Sequence, residues 1–241
     1  MIKFFRKIRQ TMIKENKVSK YMLYAIGEIL LVVIGILIAL QIGDLNEKRK
    51  KAEQGIIQKK ALKVEIQNDL ESLKLDFEYL TKELKINNSY AERLTNINSD
   101  LDTLVKIVRH EYFGGFNKLK KLNKTTFNSL ESTGEIELLG RDLAINVQKY
   151  YTNRGDDILT MNTNSQIYYN LLESFMLKHP SYWFAIQGPL QDLYWTNVDK
   201  QTLFAEFNGL LTVRLFNLNV RKVLVSELID KTEDLIDEIE F

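Results

Sequence analysis

Cysteine is missing from all 241 residues, and histidine and proline occur only twice each. With no thiol, the chain can build neither a disulfide framework nor a Cys-ligated zinc or iron–sulfur centre. Two histidines, His110 and His179, leave little for a histidine-rich metal site or a His-based triad. Two prolines and eleven glycines in this length exclude a collagen-like or loop-dominated chain. An excess of one charge is missing too: 33 Lys and Arg stand against 32 Asp and Glu, so no overall field draws the chain to nucleic acid. Phosphate-loop, zincin, nucleophile-elbow and EF-hand patterns are absent, and Gly114-Gly115 has neither the spacing nor the Lys-Ser/Thr of a phosphate loop. The expectation is a protein that is not an enzyme and carries no cofactor or metal.

What is present is an uneven distribution. Residues 1–20 hold seven basic side chains against the single acid Glu15, residues 21–42 hold only Glu28, and residues 43–241 hold 26 basic and 30 acidic residues. Segment 21–42, YMLYAIGEILLVVIGILIALQI, is about 33 Å long as a helix at ~1.5 Å per residue, enough for a hydrocarbon core of ~30 Å. Ile29 to Leu40 lacks any polar side chain. Tyr21 and Tyr24 sit where interfacial aromatics occur, and Lys17 and Lys20 can reach headgroups. A cleaved signal peptide is the competing reading, but the exit Leu40-Gln41-Ile42-Gly43-Asp44 has no small-x-small cleavage pattern. A retained transmembrane helix is therefore expected over 21–42. It divides the chain into a basic amphipathic cytoplasmic segment (1–20), the span (21–42) and a periplasmic helical domain (43–241).

The basic residues set the expected orientation. Seven precede the span, whereas Asp44 and Glu47 come before Lys48, Arg49, Lys50 and Lys51 after it, which favours a cytoplasmic N-terminus. Ile2, Phe5, Ile8 and Met12 form one helical stripe among Lys3, Arg6, Lys7 and Arg9, an arrangement suited to anionic lipid headgroups. A plain topogenic basic flank explains the same residues. Inside the span Glu28 is the odd residue, since a carboxylate in hydrocarbon is costly. At ~100° per residue Glu28, Gly35 and Ala39 share one face, and Gly35-x-x-x-Ala39 is a small-residue pair that admits a second helix. Association through that face, with another copy or a membrane partner, is one reading. A Glu28 that reaches the cytoplasmic headgroups is the other.

The opening MIKFFRKIRQ, the following SKYMLYAIGEILLVVIGILIALQI and the LNEKRK exit resemble an uncharacterised single-span family of Bacteroidota membrane proteins, a domain of unknown function. Phe127-Asn128-Ser129-Leu130-Glu131-Ser132-Thr133-Gly134 and Tyr150-Tyr151 are similar to its second landmark. The resemblance implies a bacterial inner-membrane setting. It supplies no catalytic residue.

Beyond the span the helical period continues. Ile66, Leu70, Leu73, Phe77, Leu80, Leu84, Ala91, Leu94 and Leu101 follow steps of three and four, which predicts a long amphipathic helix packed in a bundle or coiled coil. Asn87-Asn88-Ser89 and 96–100 are its expected weak points, with Ser99 or Asp100 capping a new helix that runs to Phe113 and ends at Gly114-Gly115. Thr125 or Thr126 is expected to cap a short helix through Ser132, stopped by Gly134. Helices follow over 140–152 and 157–178 with a turn at Gly155 between them, and a last one over about 200–240 lies antiparallel to the first. The expected class is all-α, an N-terminal transmembrane helix followed by an extracytoplasmic antiparallel helical bundle with long first and last helices.

Chemistry is sparse. Arg109-His110-Glu111 point in different directions on a helix, His179-Pro180 reads as a helix end, and Glu131, Glu135 and Glu137 lack the ligand count of a cation loop. The aromatic segment 181–195, with Tyr182, Trp183, Phe184, Tyr194 and Trp195, is the candidate partner or ligand surface. A lid packed over the core accounts for the same residues. The function expected is a single-pass inner-membrane scaffold or partner-binding module. Its partners are membrane lipid and a membrane or periplasmic protein or a second copy, with no nucleic acid. The alternative is a periplasmic ligand-sensing module acting through a membrane partner.

Overall fold

The computed structural model describes residues 18–97, 100–115, 123–181 and 186–240. Among these there is no strand, and six α-helices follow one another: α1 Val18–Thr95, α2 Leu101–Lys106, α3 Thr125–Thr133, α4 Arg141–Lys178, α5 Pro189–Asn197 and α6 Lys200–Glu238. A π-helical turn, Ile107–Glu111, extends α2, and a 3-10 turn, Glu135–Leu139, links α3 to α4. The chain is all-α. It divides after Ile57 into two units, Met1–Ile57 and Gln58–Phe241.

The first unit is dominated by the apolar run of α1. Fifteen large apolar side chains between Met22 and Leu45 are exposed, from Leu31 at 75 % to Ile34 at 46 %. This is one helix, near the N-terminus, long and apolar enough to cross a membrane. The basic segment 1–17, with Lys3, Arg6, Lys7 and Arg9, lies outside the described residues.

In the second unit the apolar faces of α1, α4 and α6 close on one another through three clusters. Leu62 and Ile66 of α1 meet Phe127 and Leu130 of α3, Val147 to Tyr151 at the start of α4, and Leu235 near the end of α6. Leu73, Leu80 and Leu84 then meet Met161, Leu218, Val225 and Leu228. Tyr90 finally meets Leu104, Tyr112, Tyr168, Phe175, Trp195, Leu203 and Phe207. Read along α1, the partners on α4 rise in number and those on α6 fall. Helix α4 therefore follows the direction of α1, and α6 opposes both.

Polar layers separate these clusters. Glu65 and Asp69, one turn apart on α1, are only 4 and 5 % exposed. Glu65 accepts from the Tyr151 hydroxyl at 2.8 Å and from the Thr126 backbone N–H at 2.7 Å. Asp69 accepts from Arg154 at 3.0 Å and from the Asn123 backbone N–H. Burial nevertheless holds its carboxyl above the usual carboxylate range, against the Arg154 charge. Two carboxylates from α1 thus occupy the positive end of α3, where orphan N–H groups and the helix dipole favour anions. Further along, Arg214 is fully buried; it donates to the carbonyls of Gly114 and Gly115 at 2.9 and 2.7 Å and to Glu83 at 2.8 Å. Tyr168 shares the Gly114 carbonyl at 2.8 Å and meets the Tyr112 hydroxyl at 2.8 Å. Gly114 allows this close approach, because a Cβ there would sit 2.5 Å from a Leu172 methyl.

Several boundaries differ from expectation. Asn87 does not break α1: it is buried and its side chain donates to the Glu83 carbonyl at 2.8 Å. The break comes at the second weak point, where the Asp100 side chain caps α2 through the Thr103 N–H at 2.7 Å, while Ser99 lies outside the described residues. The helix stops at Glu111 rather than Phe113, as Tyr112 turns extended to pack in the core. Neither Thr125 nor Thr126 caps α3. Both lie inside it, Lys124 holds the cap position without a side-chain bond, and the acceptors are the Asn123 side chain for the Thr125 N–H and Glu65 of α1 for the Thr126 N–H. Gly134, at φ 72°, ends α3 as expected. No turn occurs at Gly155. Helix α4 runs through it, since burial of Tyr151, Arg154 and Met161 on both sides outweighs the ~1 kcal/mol helix cost of glycine.

Urea unfolding of the full-length chain in detergent tests the packing. Leu73→Ala, at a buried site, should cost ~2–5 kcal/mol, whereas Leu75→Ala two residues on, exposed, should stay within ~0.5 kcal/mol. Asp69→Ala should cost ~3–5 kcal/mol, because it strands the Arg154 charge inside the protein.

Candidate functional site

The residues expected to matter fall in both units. In the first, Gly35 and Ala39 lie on the exposed part of α1, and Glu28 is partly buried. A Cβ built on Gly35 meets nothing within 4 Å. None of the described residues therefore places a steric demand on that glycine.

In the second unit, Tyr182, Trp183 and Phe184 lie outside the described residues. Trp195 is not on a surface. It is 3 % exposed in the cluster with Tyr112 and Phe207, and its indole N–H donates to the Pro180 carbonyl at 3.2 Å. Tyr194 packs edge-on against it at 5.3 Å and keeps a partly exposed ring. The interleaved pattern of 189–197 explains the split. Gly188, at φ 118°, and Pro189 at the first turn start α5, and its period turns Gln191 and Trp195 inward and Leu190 and Leu193 outward.

Tyr194 leads to a cluster that sequence reasoning missed. His179 ends α4 and is 6 % exposed; its Nδ1 lies 2.8 Å from the Tyr194 hydroxyl and its Nε2 lies 2.6 Å from Glu206 of α6. The Tyr194 hydroxyl donates to the Lys178 carbonyl at 2.6 Å, and the Lys178 ammonium donates to the other Glu206 oxygen at 2.6 Å. A proton on Nε2 lets the ring donate to the Glu206 carboxylate, and the tautomer sets the direction of the contact between Nδ1 and the Tyr194 hydroxyl. Hydrogen bonds from Lys178 and then His179 hold the Glu206 carboxyl below its ordinary 4.5. Burial, and then Glu206, raise the Tyr194 phenol above its ordinary 10.0, so it stays a donor.

The arrangement ties the end of α4, the middle of α5 and the start of α6 into one joint. His179 read as a helix end because its partners are 15 and 27 residues away and carry no local pattern. Beside the joint lies a broad, open groove of about 730 Å³, bordered by Lys178, His179, Leu190, Leu193, Tyr194 and Val198. Among the described residues no group of three or more acidic or histidine side chains is placed to hold a metal ion.

Comparison of the chain with protein-family models, with curated proteins and with solved structures gives no match. The chemistry of its own residues must therefore carry the functional reading.

The joint has a pH signature. The contribution of Glu206 is present above its ordinary 4.5 and is lost as pH falls through and below that value. Melting curves of the full-length chain between neutral pH and a pH below 4.5 should fall less steeply for Glu206→Gln than for the native protein.

Proposed function

We propose that the chain is a single-pass bacterial inner-membrane protein, with its N-terminus in the cytoplasm, whose periplasmic antiparallel helical bundle serves as a non-enzymatic scaffold for a protein partner or a second copy. The observation that carries this reading is the uncovered run on α1. A large apolar side chain gains ~1.5–3 kcal/mol on leaving water, and fifteen of them between Met22 and Leu45 are exposed in sequence along one helix. In water that surface is costly. A bilayer claims it at once, and a helix satisfies its own backbone there.

Orientation follows from the seven basic residues ahead of the apolar run, with Lys3, Arg6, Lys7 and Arg9 against anionic headgroups. The scaffold role draws support from the second unit. Trp195, Phe207 and Tyr168 fill the core, while Leu190 at 82 % and Leu193 at 59 % stand exposed beside the His179 joint, as a surface awaiting a partner would have them. The alternative, ligand sensing through a membrane partner, draws support from the open groove next to Tyr194 and His179.

Alkaline carbonate washing of membranes tests the anchor: the chain should stay with the vesicles, and its appearance in the wash would overturn the reading. For association through the span, Glu28→Ala and Gly35→Ile should each lower the yield of crosslinked oligomer or partner complex. A rise in melting temperature with a small metabolite, at the melting temperature's ordinary dependence on ligand concentration, would favour the sensing alternative.

A further inference from the structure

Helix α5 differs from the long helices in how little of it faces the core. Of its residues, Pro189–Asn197, only Gln191 and Trp195 are buried. A helix this short does not persist in water by itself, so α5 depends on what holds it down. Trp195 is its one buried apolar side chain, in the cluster with Tyr112, Phe175, Leu203 and Phe207, and the half-buried Tyr194 ring packs beside it. The remaining ties among the described residues are polar. Asp192 pairs with Arg109 of the π-helical turn at 2.5 Å, and the Trp195 indole N–H reaches the Pro180 carbonyl at 3.2 Å. The Tyr194 hydroxyl donates to the Lys178 carbonyl at 2.6 Å and meets His179 at 2.8 Å. Asp192 is exposed and Tyr194 partly so, and water competes for the partners of such groups.

The second inward residue holds α5 poorly. Gln191 accepts from Arg109 at 3.2 Å through Oε1, but its Nε2 is buried without an acceptor, and so is the Arg109 Nε. Buried donors left unpaired penalise the closed form, and water satisfies them once α5 lifts. We propose that α5 is a strap that opens as one unit, drawing Trp195 out of the core while α4 and α6 stay folded. Its ends suit that motion. Gly188 enters the helix at φ 118°, a conformation that only glycine adopts readily, no side chain caps the first turn, and Val198 leaves it extended at ψ 135°. Helices α4 and α6, by contrast, each bury nine or more side chains, so they belong to a more stable part of the fold. The closed strap covers the apolar seat of Trp195. The open strap bares that seat beside the groove that His179 and Tyr194 border, so α5 controls when the bundle presents it. The strap is independent of whether α1 spans a membrane.

Amide hydrogen exchange of the full-length chain in a bilayer tests this, compared over 189–198, 161–175 and 203–218. Segment 189–198 should exchange several-fold faster than the other two, with one protection factor shared along it. Tyr194→Phe removes the contacts to Lys178 and His179. It should speed exchange in 189–198 several-fold and leave the other two segments unchanged. Because the chain has no cysteine, a single Gln191→Cys on the inward side of α5 gives a second readout: adding Tyr194→Phe should raise its rate of thiol labelling several-fold. Exchange of 189–198 at the pace of α4 and α6 would overturn the strap, as would a Tyr194→Phe effect spread equally over all three segments. Protection that declines residue by residue from one end of α5 would also overturn it, since that is fraying and not the opening of a unit.

Discussion

Water will not tolerate the surface that α1 presents between Met22 and Leu45, and this constraint organises everything else. Leu, Ile and Val lie on every side of the helix there, so rotating the helix cannot hide them. A protein core could cover them only with a matching apolar shell, and none of the described residues supplies one. On the reading proposed above, hydrocarbon covers them. On that reading, the helical domain must be stable in water without a disulfide, since the chain has no cysteine.

The body meets that demand with apolar clusters separated by buried charge. Arg154, Arg214 and Arg221 are each no more than 3 % exposed, and such groups add little net stability against an apolar equivalent. Their effect is on position. Arg214 reaches Glu83 on α1 and two consecutive carbonyls after the π-helical turn at once. An axial slip of α6 by one turn would take the guanidinium from all of them. Arg154 fixes α4 against Asp69 of α1 in the same way, while Tyr150 links it onward to Thr232 of α6 at 3.0 Å. Long helices with repetitive leucine faces can slide past one another, and these layers remove that freedom.

Much of this was legible beforehand. Asp100 and Gly134 act at single positions through their own side chain or backbone, and both did what their residue types predict. Arg214 and Arg221 stand seven apart among Leu211, Leu218, Val225 and Leu228, a pattern that could have marked them as buried. The His179 joint offered no such pattern, because Tyr194 and Glu206 join it from two other helices. Gly155 failed as a turn signal, and Thr125 as a cap, for one shared reason. A local preference of about a kilocalorie per mole yields to burial on either side, or to a carboxylate brought from a distant helix.

The linear order of residues alone determined the helical class, the long apolar run near the start, the direction of its charge bias and most helix ends. Each depends on neighbours within a few turns, where periodicity, caps and hydropathy act. Only the tertiary structure decided which helix runs with which, that Glu65 and Asp69 sit at the head of α3, and that Trp195 belongs to the core. It also left Val64, Leu75 and Ile86 of α1 exposed outside that core. Those outcomes turn on which of two apolar faces of a helix finds cover, and that depends on helices far away in the chain.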